Sequence, residues 1–163
     1  MRRIAVCPGS FDPVTLGHLD IIRRASIMFD KVIVLISTNA TKNTASFTTT
    51  ERMMMIAEAT RNLDNVVIDI LDGLLVDYVK RVNAVAIVKG LRAVSDFEYE
   101  FQMALTNKVL YEGAETVFLT TAKENMYLSS SVVKQVAYFG GDISPFVPDC
   151  ILDTIQKRLI KED

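Results

Sequence analysis

Short, almost continuously apolar runs alternate with longer amphipathic stretches along the chain, and this alternation limits the possible folds more than any other feature. Five runs rich in Val, Ile and Ala predict strands, namely Arg3–Cys7, Val32–Ser37, Val66–Ile70, Ala84–Val88 and Thr116–Leu119. Strands covered by helices on both faces are apolar throughout, as in a parallel sheet. The pattern therefore predicts an α/β fold with a doubly wound, five-stranded parallel sheet joined by right-handed crossovers.

Six amphipathic segments predict the helices that cover such a sheet: Gly17–Phe29, Thr50–Asn62, Leu74–Val82, Phe97–Tyr111, Ser130–Phe139 and Pro148–Lys161. Thr48, followed three residues later by Glu51, resembles a capping box at the start of the second helix. The chain has 163 residues and contains no internal repeat, low-complexity tract or linker. We expect a single domain over residues 1–163, because this length suits one hydrophobic core.

Charge and residue counts exclude several classes of function. With 18 basic and 20 acidic residues, the chain lacks the excess of Lys and Arg that grips a nucleic-acid backbone. Cys7 and Cys150 belong to no CxxC pair or Cys/His cluster, which argues against a disulfide scaffold or a zinc site. Residues 4–7 are too short a run for a signal peptide, and no run approaches about 18 apolar residues. We expect a cytoplasmic protein that binds neither nucleic acid nor a membrane.

The loop after the first predicted strand has the features of an anion site. In a doubly wound sheet, ligands collect beyond the carboxyl ends of the strands, where this loop, residues 8–16, is expected. It matches neither GxxxxGK[ST] nor GxGxxG. It does lead into a helix, whose unpaired N–H groups and positive dipole end favour a phosphate. Gly9 and Gly17 allow close backbone approach, and Ser10 and Thr15 supply hydroxyls.

His18 is the only histidine of the chain and lies in the first turn of the first predicted helix. The helix dipole there favours a neutral ring, which can still donate one hydrogen bond to a phosphate oxygen on which charge develops. The alternative is a structural residue that caps the helix or packs against it. The residue's position alone leaves both roles open.

Basic and hydroxyl side chains follow other predicted strands. Lys42 follows the second strand, while Lys89 and Arg92 follow the fourth, so these cations are predicted to converge on a small polyanion. Each is also compatible with an ordinary surface charge. Among the serines 129–131, one suffices as an N-cap, and the other hydroxyls suggest a second phosphate cradle. Glu100 is compatible with contact to a ribose or adenine, and equally with dipole matching at a helix start.

Several segments together resemble one family. The string TLGH at 15–18 is similar to the (H/T)xGH signature of the nucleotidyltransferase superfamily. PGSFDPVTLGH at 8–18, GLRAVSDFEYE at 90–100 and YLSSSVVKQVA at 127–137 resemble, in order and spacing, the phosphopantetheine adenylyltransferases. The resemblance covers essentially the whole chain and implies a Rossmann-like nucleotidyltransferase fold. It also implies magnesium-dependent adenylyl transfer from ATP to 4'-phosphopantetheine, giving dephospho-coenzyme A and pyrophosphate, in a cytoplasmic homohexamer.

The resemblance further implies roles for individual residues. His18 would contact the α-phosphate and stabilise the transition state. The ATP-binding residues would be Ser10, Phe11, His18, Gly90, Leu91, Arg92, Glu100, Asn125, Met126, Tyr127, Leu128, Ser129, Ser130 and Ser131. The residues that hold phosphopantetheine would be Ser10, Lys42, Leu75 and Lys89. No side chain of the protein is implied as a metal ligand, because the triphosphate commonly supplies ligands to magnesium.

The chain departs from the family pattern at three of these positions. Ser10 stands where the family often has Thr, and the hydroxyl is kept. Lys89 stands where the family often has Arg, which keeps the charge but loses the bidentate fork. Asn125 stands where relatives carry an aromatic residue. Two other functions remain open: a nucleotidyltransferase with another acceptor, such as nicotinate mononucleotide or glycerol phosphate, and a nucleotide-binding regulatory domain without turnover.

Overall fold

A computed structural model describes residues 2–37 and 45–160, with the side chains of Val94 and Ser95 excepted. Within these residues, parallel strands form one sheet in the order β3-β2-β1-β4-β5. The strands are β1 (Ile4–Gly9), β2 (Lys31–Ser37), β3 (Val66–Leu71), β4 (Ala86–Leu91) and β5 (Thr116–Thr120). The helices are α1 (Leu16–Met28), α2 (Thr49–Ala59), α3 (Leu75–Arg81), α4 (Val94–Leu110), α5 (Ser130–Tyr138) and α6 (Asp149–Leu159). The predicted α/β fold with a five-stranded parallel sheet is confirmed.

The interior strand β2, which lies between β3 and β1, shows why such strands are continuous apolar runs in the sequence. Val34 and Ile36 pack on one face in a cluster that contains residues of α1, α2, α5 and α6. Ile33 and Leu35 point to the other face, where they meet Val76 and other residues of α3. Successive side chains of a strand point to opposite faces. Both faces of β2 are therefore covered by helices, and every interior position of this strand is buried.

The strand order creates a switch point between β1 and β4. From β1 the chain moves outward through β2 to β3, and it then returns to place β4 on the other side of β1. Connections that leave two neighbouring strands in opposite directions open a crevice beyond their carboxyl ends, where ligands bind in sheets of this kind. The starts of α1 and α5 both reach this crevice, which positions the candidate site.

The structure corrects the predicted end of the fourth strand. Val88 was expected to be its last residue, with Lys89, Gly90 and Leu91 in a loop, but β4 continues through Leu91 and pairs with β5 as far as Thr120. Lysine and glycine have low strand propensity, and pairing with β5 overrides that preference. The connection to α4 is consequently short, because α4 begins at Val94 rather than at Phe97.

Helix boundaries follow local signals where side chains cap them. Thr48 and Glu51 form the predicted capping box at α2: the Thr48 N–H donates to Glu51 Oε2 at 2.7 Å, and the Glu51 N–H donates to Thr48 Oγ1 at 3.2 Å. Gly140 follows α5 with φ +73°, a conformation that glycine adopts without strain. A 3₁₀ turn at Lys123–Asn125 has no counterpart in the predicted elements. None of the helices in the described ranges is long and apolar enough to cross a membrane.

Candidate active site

A cleft of about 540 Å³ lies beyond the carboxyl ends of β1 and β4. It brings together most of the predicted site residues, namely Ser10, Phe11, His18, Lys89, Gly90, Arg92, Glu100, Leu128, Ser129, Ser130 and Ser131. The first residues of α1 and α5 form part of its wall. Because the positive ends of two helix dipoles meet there, the cleft favours an anion with more than one phosphate group.

Other predicted site residues lie outside this cleft. Lys42 falls outside the described residues, and Leu75, Leu91, Asn125, Met126 and Tyr127 are absent from the lining. Leu75 packs against the core cluster on the α3 face of the sheet. Asn125 lies beside the cleft, since a Cβ atom placed on Gly17 would be 3.7 Å from its Cβ. Met126 and Tyr127 are exposed. Ligand contacts by these residues stay predictions.

His18 is both a cap of α1 and a wall of the cleft. Its Nδ1 accepts a hydrogen bond from the Thr15 backbone N–H at 3.0 Å, while the His18 N–H donates to Thr15 Oγ1 at 3.3 Å. An imidazole nitrogen that accepts a backbone N–H carries no proton, so a neutral ring carries its proton on Nε2. The capping role and a ligand-binding role are thus compatible, and capping leaves one ring N–H free to donate.

The environment of His18 keeps the ring neutral. Burial lowers its pKa to about 4, and the positive charges of Arg92 and Lys89 add to this effect. From the sequence, the helix dipole is expected to keep the ring neutral, whereas burial is the largest cause in the structure. At neutral pH the ring is therefore a hydrogen-bond donor without a charge.

Phe11 supports the His18 ring from an unusual backbone conformation. Its φ is +48°, in the left-handed region that costs a residue other than glycine about 1–2 kcal/mol. The buried Phe11 ring meets the His18 ring edge-on, with centroids 5.1 Å apart. A Cβ atom on Gly9 would lie 3.0 Å from the Phe11 ring, so glycine at position 9 lets the ring take this place.

Asp12 anchors the same loop by polar contacts to the segment before α2 and to α5. Its carboxylate accepts the Ser46 and Phe47 backbone N–H groups at 3.0 and 2.9 Å and pairs with the Lys134 ammonium at 3.0 Å. Burial acts to raise the pKa of Asp12, but the Ser46 N–H, the Lys134 ammonium and the Phe47 N–H together hold it below its usual value. The loop after β1 is thereby tied to the start of α2 and to α5.

Arg52 also holds the loop after β1, through a contact that no sequence pattern indicates. The side chain lies on α2 and is 6% exposed. Its guanidinium donates to the Ser10 carbonyl at 2.8 Å, to Thr49 Oγ1 at 3.2 Å and to the Thr48 carbonyl at 3.5 Å. A hydrogen bond from a charged donor contributes about 1.5–3 kcal/mol, which is enough to offset the backbone strain at Phe11.

The two cations beside His18 are paired with carboxylates of α4. Lys89 Nζ lies 3.1 Å from Glu100 Oε1. Arg92 donates to Asp96 through Nε at 3.0 Å and to the Leu128 carbonyl through a terminal nitrogen at 2.7 Å. A guanidinium has five N–H donors, and these bonds together with a longer contact to Asp96 use three of them. Arg92 therefore shapes the cleft and keeps donors for a ligand.

Two of the three serine hydroxyls at the start of α5 are used in hydrogen bonds within the protein, which leaves fewer for a ligand than the sequence suggests. Ser129 caps the helix by accepting the Val132 N–H at 3.1 Å, and Ser130 Oγ donates to the Pro13 carbonyl at 2.7 Å. Ser131 is exposed at the cleft wall. The predicted cradle of surplus hydroxyls is thus mostly structural, and the backbone N–H groups of this helix start are the better candidates for contact with a phosphate.

Several cleft residues were not singled out as binding residues from the sequence, among them Asp96, Tyr99 and Thr121. Asp96, Tyr99 and Glu100 recur at a spacing of three and four residues, which places them on one face of a helix. That spacing was a usable signal, but acidic residues at a helix start are already explained by the helix dipole. Thr121 follows β5 and has no comparable signal.

Cys7 lines the floor of the cleft but has no nucleophilic role at neutral pH. Burial raises its pKa to about 12, and the nearby Lys89 charge offsets only part of this effect. The thiol is therefore protonated. Within residues 2–37 and 45–160, no group of three His, Cys, Asp or Glu side chains is arranged to hold a metal ion. The carboxylates Asp96 and Glu100 of the cleft are paired with Arg92 and Lys89. The hydrogen-bond donors and cations of the site suit the binding and polarisation of phosphates.

Comparisons with known proteins identify the family of the chain. The cytidylyltransferase-like family model matches residues 6–136. A phosphopantetheine adenylyltransferase of Caldanaerobacter subterraneus subsp. tengcongensis is 53% identical over 159 residues, which cover 98% of this chain and 99% of that protein. A phosphopantetheine adenylyltransferase of Rubrobacter xylanophilus is 48% identical, with coverage of 98% and 97%.

A solved structure supports the fold alone. The bifunctional NMN adenylyltransferase/ADP ribose pyrophosphatase from Francisella tularensis superposes with a TM-score of 0.72 at 20% identity, over 96% of this chain and 49% of that chain. With the family match and the full-length relatives, the conclusion is that this chain belongs to the cytidylyltransferase-like family and, within it, to the phosphopantetheine adenylyltransferases.

Proposed function

We propose that the protein transfers the adenylyl group of ATP to the phosphate of 4'-phosphopantetheine, forming dephospho-coenzyme A and pyrophosphate in coenzyme A biosynthesis. Membership of the phosphopantetheine adenylyltransferases, with relatives 53% and 48% identical over nearly their whole length, supports this reaction. The observation that carries the proposal is the meeting of His18, Lys89 and Arg92 with two helix N-termini in one cleft. A single domain, residues 1–163, would carry out both substrate binding and transfer.

The proposed reaction does not require a general base. The attacking group is a phosphate, which is already ionised near neutral pH, so no proton has to be removed before attack. His18 is neutral with a pKa of about 4 and Cys7 is a protonated thiol. Catalysis is then a matter of alignment and charge stabilisation: the acceptor phosphate attacks the α-phosphorus in line and pyrophosphate leaves, without a covalent intermediate.

His18 is assigned the stabilisation of the α-phosphate in the transition state. The bond from the Thr15 N–H to Nδ1 turns the ring so that Nε2–H is the donor. A donor whose direction is set before the reaction needs no reorganisation when charge develops on the phosphate. A neutral donor also avoids a third positive charge beside Lys89 and Arg92, which would repel them.

The cations divide between the two substrates. Arg92 retains unused donors and lies near the start of α5, which suits the triphosphate, with Ser10, Phe11, Gly90 and the segment 125–131 completing the ATP site. Lys89 would hold the acceptor phosphate together with Lys42 and Ser10, and Leu75 would contact its apolar part. Lys89 is paired with Glu100 in the free protein, so phosphate binding competes with this ion pair.

Nucleotidyl transfer from ATP generally uses a divalent metal, and we assign magnesium that enters as the ATP complex. The cleft carboxylates Asp96 and Glu100 are each bound to a cation of the protein. Triphosphate oxygens and water are therefore the better ligands for magnesium. When bound, magnesium would neutralise charge on the departing pyrophosphate.

We also propose that the protein assembles as a cytoplasmic homohexamer. The number of copies follows from the family resemblance, and α4 supports self-association. Large apolar side chains along this helix are exposed in the single chain: Phe97, Tyr99, Phe101, Met103, Leu105, Val109 and Leu110. Phe97, Phe101, Leu105 and Val109 recur every four residues and so lie along one side of the helix, and an exposed apolar row of this kind is typical of an interaction site. Light scattering after size exclusion should give a mass near six chains of 18.2 kDa.

The reaction is tested by incubating the protein with ATP, magnesium and 4'-phosphopantetheine and measuring dephospho-coenzyme A by mass spectrometry together with pyrophosphate release. Equal amounts of the two products are expected. Nicotinate mononucleotide, and glycerol phosphate with ATP or CTP, serve as competing acceptors. Turnover with either of these but none with phosphopantetheine would overturn the assignment, and ATP binding without any product would indicate a regulatory nucleotide-binding domain.

A further inference from the structure

Arg52 carries a charge in the protein interior without an acidic partner among the described residues. It is 6% exposed, and the ion pairs within residues 2–37 and 45–160 do not include it. Burying a cation that is not paired is unfavourable unless its hydrogen bonds are satisfied. All three bonds of Arg52 go to uncharged oxygens, one of which is the carbonyl of Ser10 in the cleft wall. Helix α2 alone gives no reason for a buried charge at this position.

The bond to Ser10 sets the direction of the next peptide N–H. In a trans peptide the carbonyl and the N–H point in opposite directions, so the Phe11 N–H points away from Arg52. Arg52 lies outside the cleft lining, whereas Ser10 and Phe11 both belong to it. The described hydrogen bonds include no acceptor for the Phe11 N–H. This N–H is therefore a donor without an acceptor among the described residues, in a residue that lines the cleft.

The same bond restrains a conformation that would otherwise relax. Phe11 has φ +48°, and rotation of the Ser10–Phe11 peptide would relieve this strain while turning the N–H away from the cleft. The rotation would also move the Phe11 ring, whose edge contact lies against His18. Loss of the guanidinium would thus disturb two donors at once, the Phe11 N–H and the His18 ring.

We propose that Arg52 is a positioning residue for the adenylyl transfer: by holding the Ser10 carbonyl, it fixes the Phe11 N–H and the His18 ring in the orientation that stabilises charge on the transferring phosphate. The inference rests on the proposed function. It assigns to Arg52 no contact with substrate. Because Arg52 orients the donors and does not supply them, loss of its side chain should lower mainly kcat.

The test compares Arg52→Met with the matched control Thr48→Ala. Methionine retains an unbranched side chain that can be buried but supplies no donor. Thr48→Ala weakens the start of the same helix, while its backbone carbonyl and the Arg52–Ser10 bond remain. We expect Arg52→Met to lower kcat by about 10–100-fold relative to Thr48→Ala, with KM for phosphopantetheine changed by less than about 3-fold.

A folded Arg52→Met protein with the same kcat as the control would overturn the proposal. A variant in which KM rises while kcat is unchanged would overturn it as well. If Arg52→Met does not fold, Arg52→Lys decides, because an ammonium cannot reproduce the guanidinium fork. Its kcat should then be at least about 3-fold below the control, and equality with the control again overturns the positioning role. Absence of dephospho-coenzyme A with the unaltered protein would instead reject the proposed function itself.

Discussion

Thr15 and His18 hold each other through two reciprocal hydrogen bonds, from the Thr15 backbone N–H to the His18 ring Nδ1 at 3.0 Å and from the His18 backbone N–H to Thr15 Oγ1 at 3.3 Å. This pair forms a capping box in which an imidazole takes the place usually held by Glu or Gln. The helix cap therefore determines the tautomer of the ring. The side chain that caps α1 is thus the one to which the proposed function assigns donation to phosphate.

His18→Ala should lower kcat by about 10²–10³-fold, which is the scale for loss of one preorganised donor. The same change removes half of the capping box and should reduce the free energy of unfolding by about 1 kcal/mol. Steady-state kinetics and urea unfolding measure the two effects separately. Thr48→Ala, which breaks the capping box of α2, should show a similar stability loss without the fall in kcat. A comparable fall in kcat in both variants would show that His18 does not take part in the reaction.

Stability should decrease as the pH falls from about 6.5 toward about 4, partly because of His18. The unfolded ring binds a proton near its usual pKa, whereas the folded ring has a pKa of about 4. The unfolded state therefore binds more protons in this window, and the free energy of unfolding falls as the pH is lowered. The contribution is complete above the unfolded pKa and amounts to at most about 3 kcal/mol.

Urea unfolding of the unaltered protein and of His18→Gln at pH 7.5 and 4.5 isolates this effect. Both proteins share the titration of their carboxylates, so the difference between their pH dependences belongs to His18. We expect the variant to lose less stability than the unaltered protein on acidification. Parallel curves would show that the folded ring is not held neutral.

Lys89→Met should raise KM for phosphopantetheine by about 10–100-fold, as expected for one charge-assisted hydrogen bond. Lys89→Arg should change KM by much less, because the positive charge is kept and the ion pair with Glu100 can form again. Initial rates at saturating ATP give the comparison. Equal KM values for the two variants would show that the side chain at position 89 does not bind the acceptor phosphate.

Gly90→Ala should destabilise the fold by about 1–3 kcal/mol, the usual range for overpacking. Its Cβ atom would lie 2.9 Å from Ile21 Cγ1 and 3.2 Å from Cδ1, at the contact between β4 and α1. The cost should shrink in an Ile21→Ala background, since the clash disappears with the side chain. Urea unfolding of both single variants and the double variant measures the coupling, and strictly additive losses would contradict the steric explanation.

The architecture followed from the sequence because strands buried on both faces have a simple signature. The runs at β1 and β2, whose central residues are buried, required only their apolar composition, and the Thr48–Glu51 pair marked the start of α2. The predicted end of β4 at Val88 is wrong for a physical reason. Lys89 and Gly90 are unfavourable in strands, yet pairing with β5 extends the strand through them. Long-range pairing of this kind leaves no trace in local composition.

The site was predictable where it depended on helix starts and charges, and not where it depended on buried polar contacts. His18, Lys89 and Arg92 stood out because cations and a lone histidine followed predicted strands. Arg52 lies within an amphipathic helix, and its bond to Ser10 joins residues 42 positions apart. The anchoring of Asp12 by Lys134 spans 122 positions. Such partners become visible only when the chain is folded.

The high pKa of Cys7 affects how the protein tolerates its own acceptor. Phosphopantetheine ends in a thiol, and its oxidised form is a disulfide that exchanges only with thiolates. With a pKa of about 12, the Cys7 thiolate is a very small fraction at neutral pH, whereas Cys150 is exposed at the surface. An aromatic disulfide reagent should accordingly modify Cys150 first in the native protein. The cleft floor is thus shielded from mixed disulfides with the compound that the enzyme would handle at every turnover.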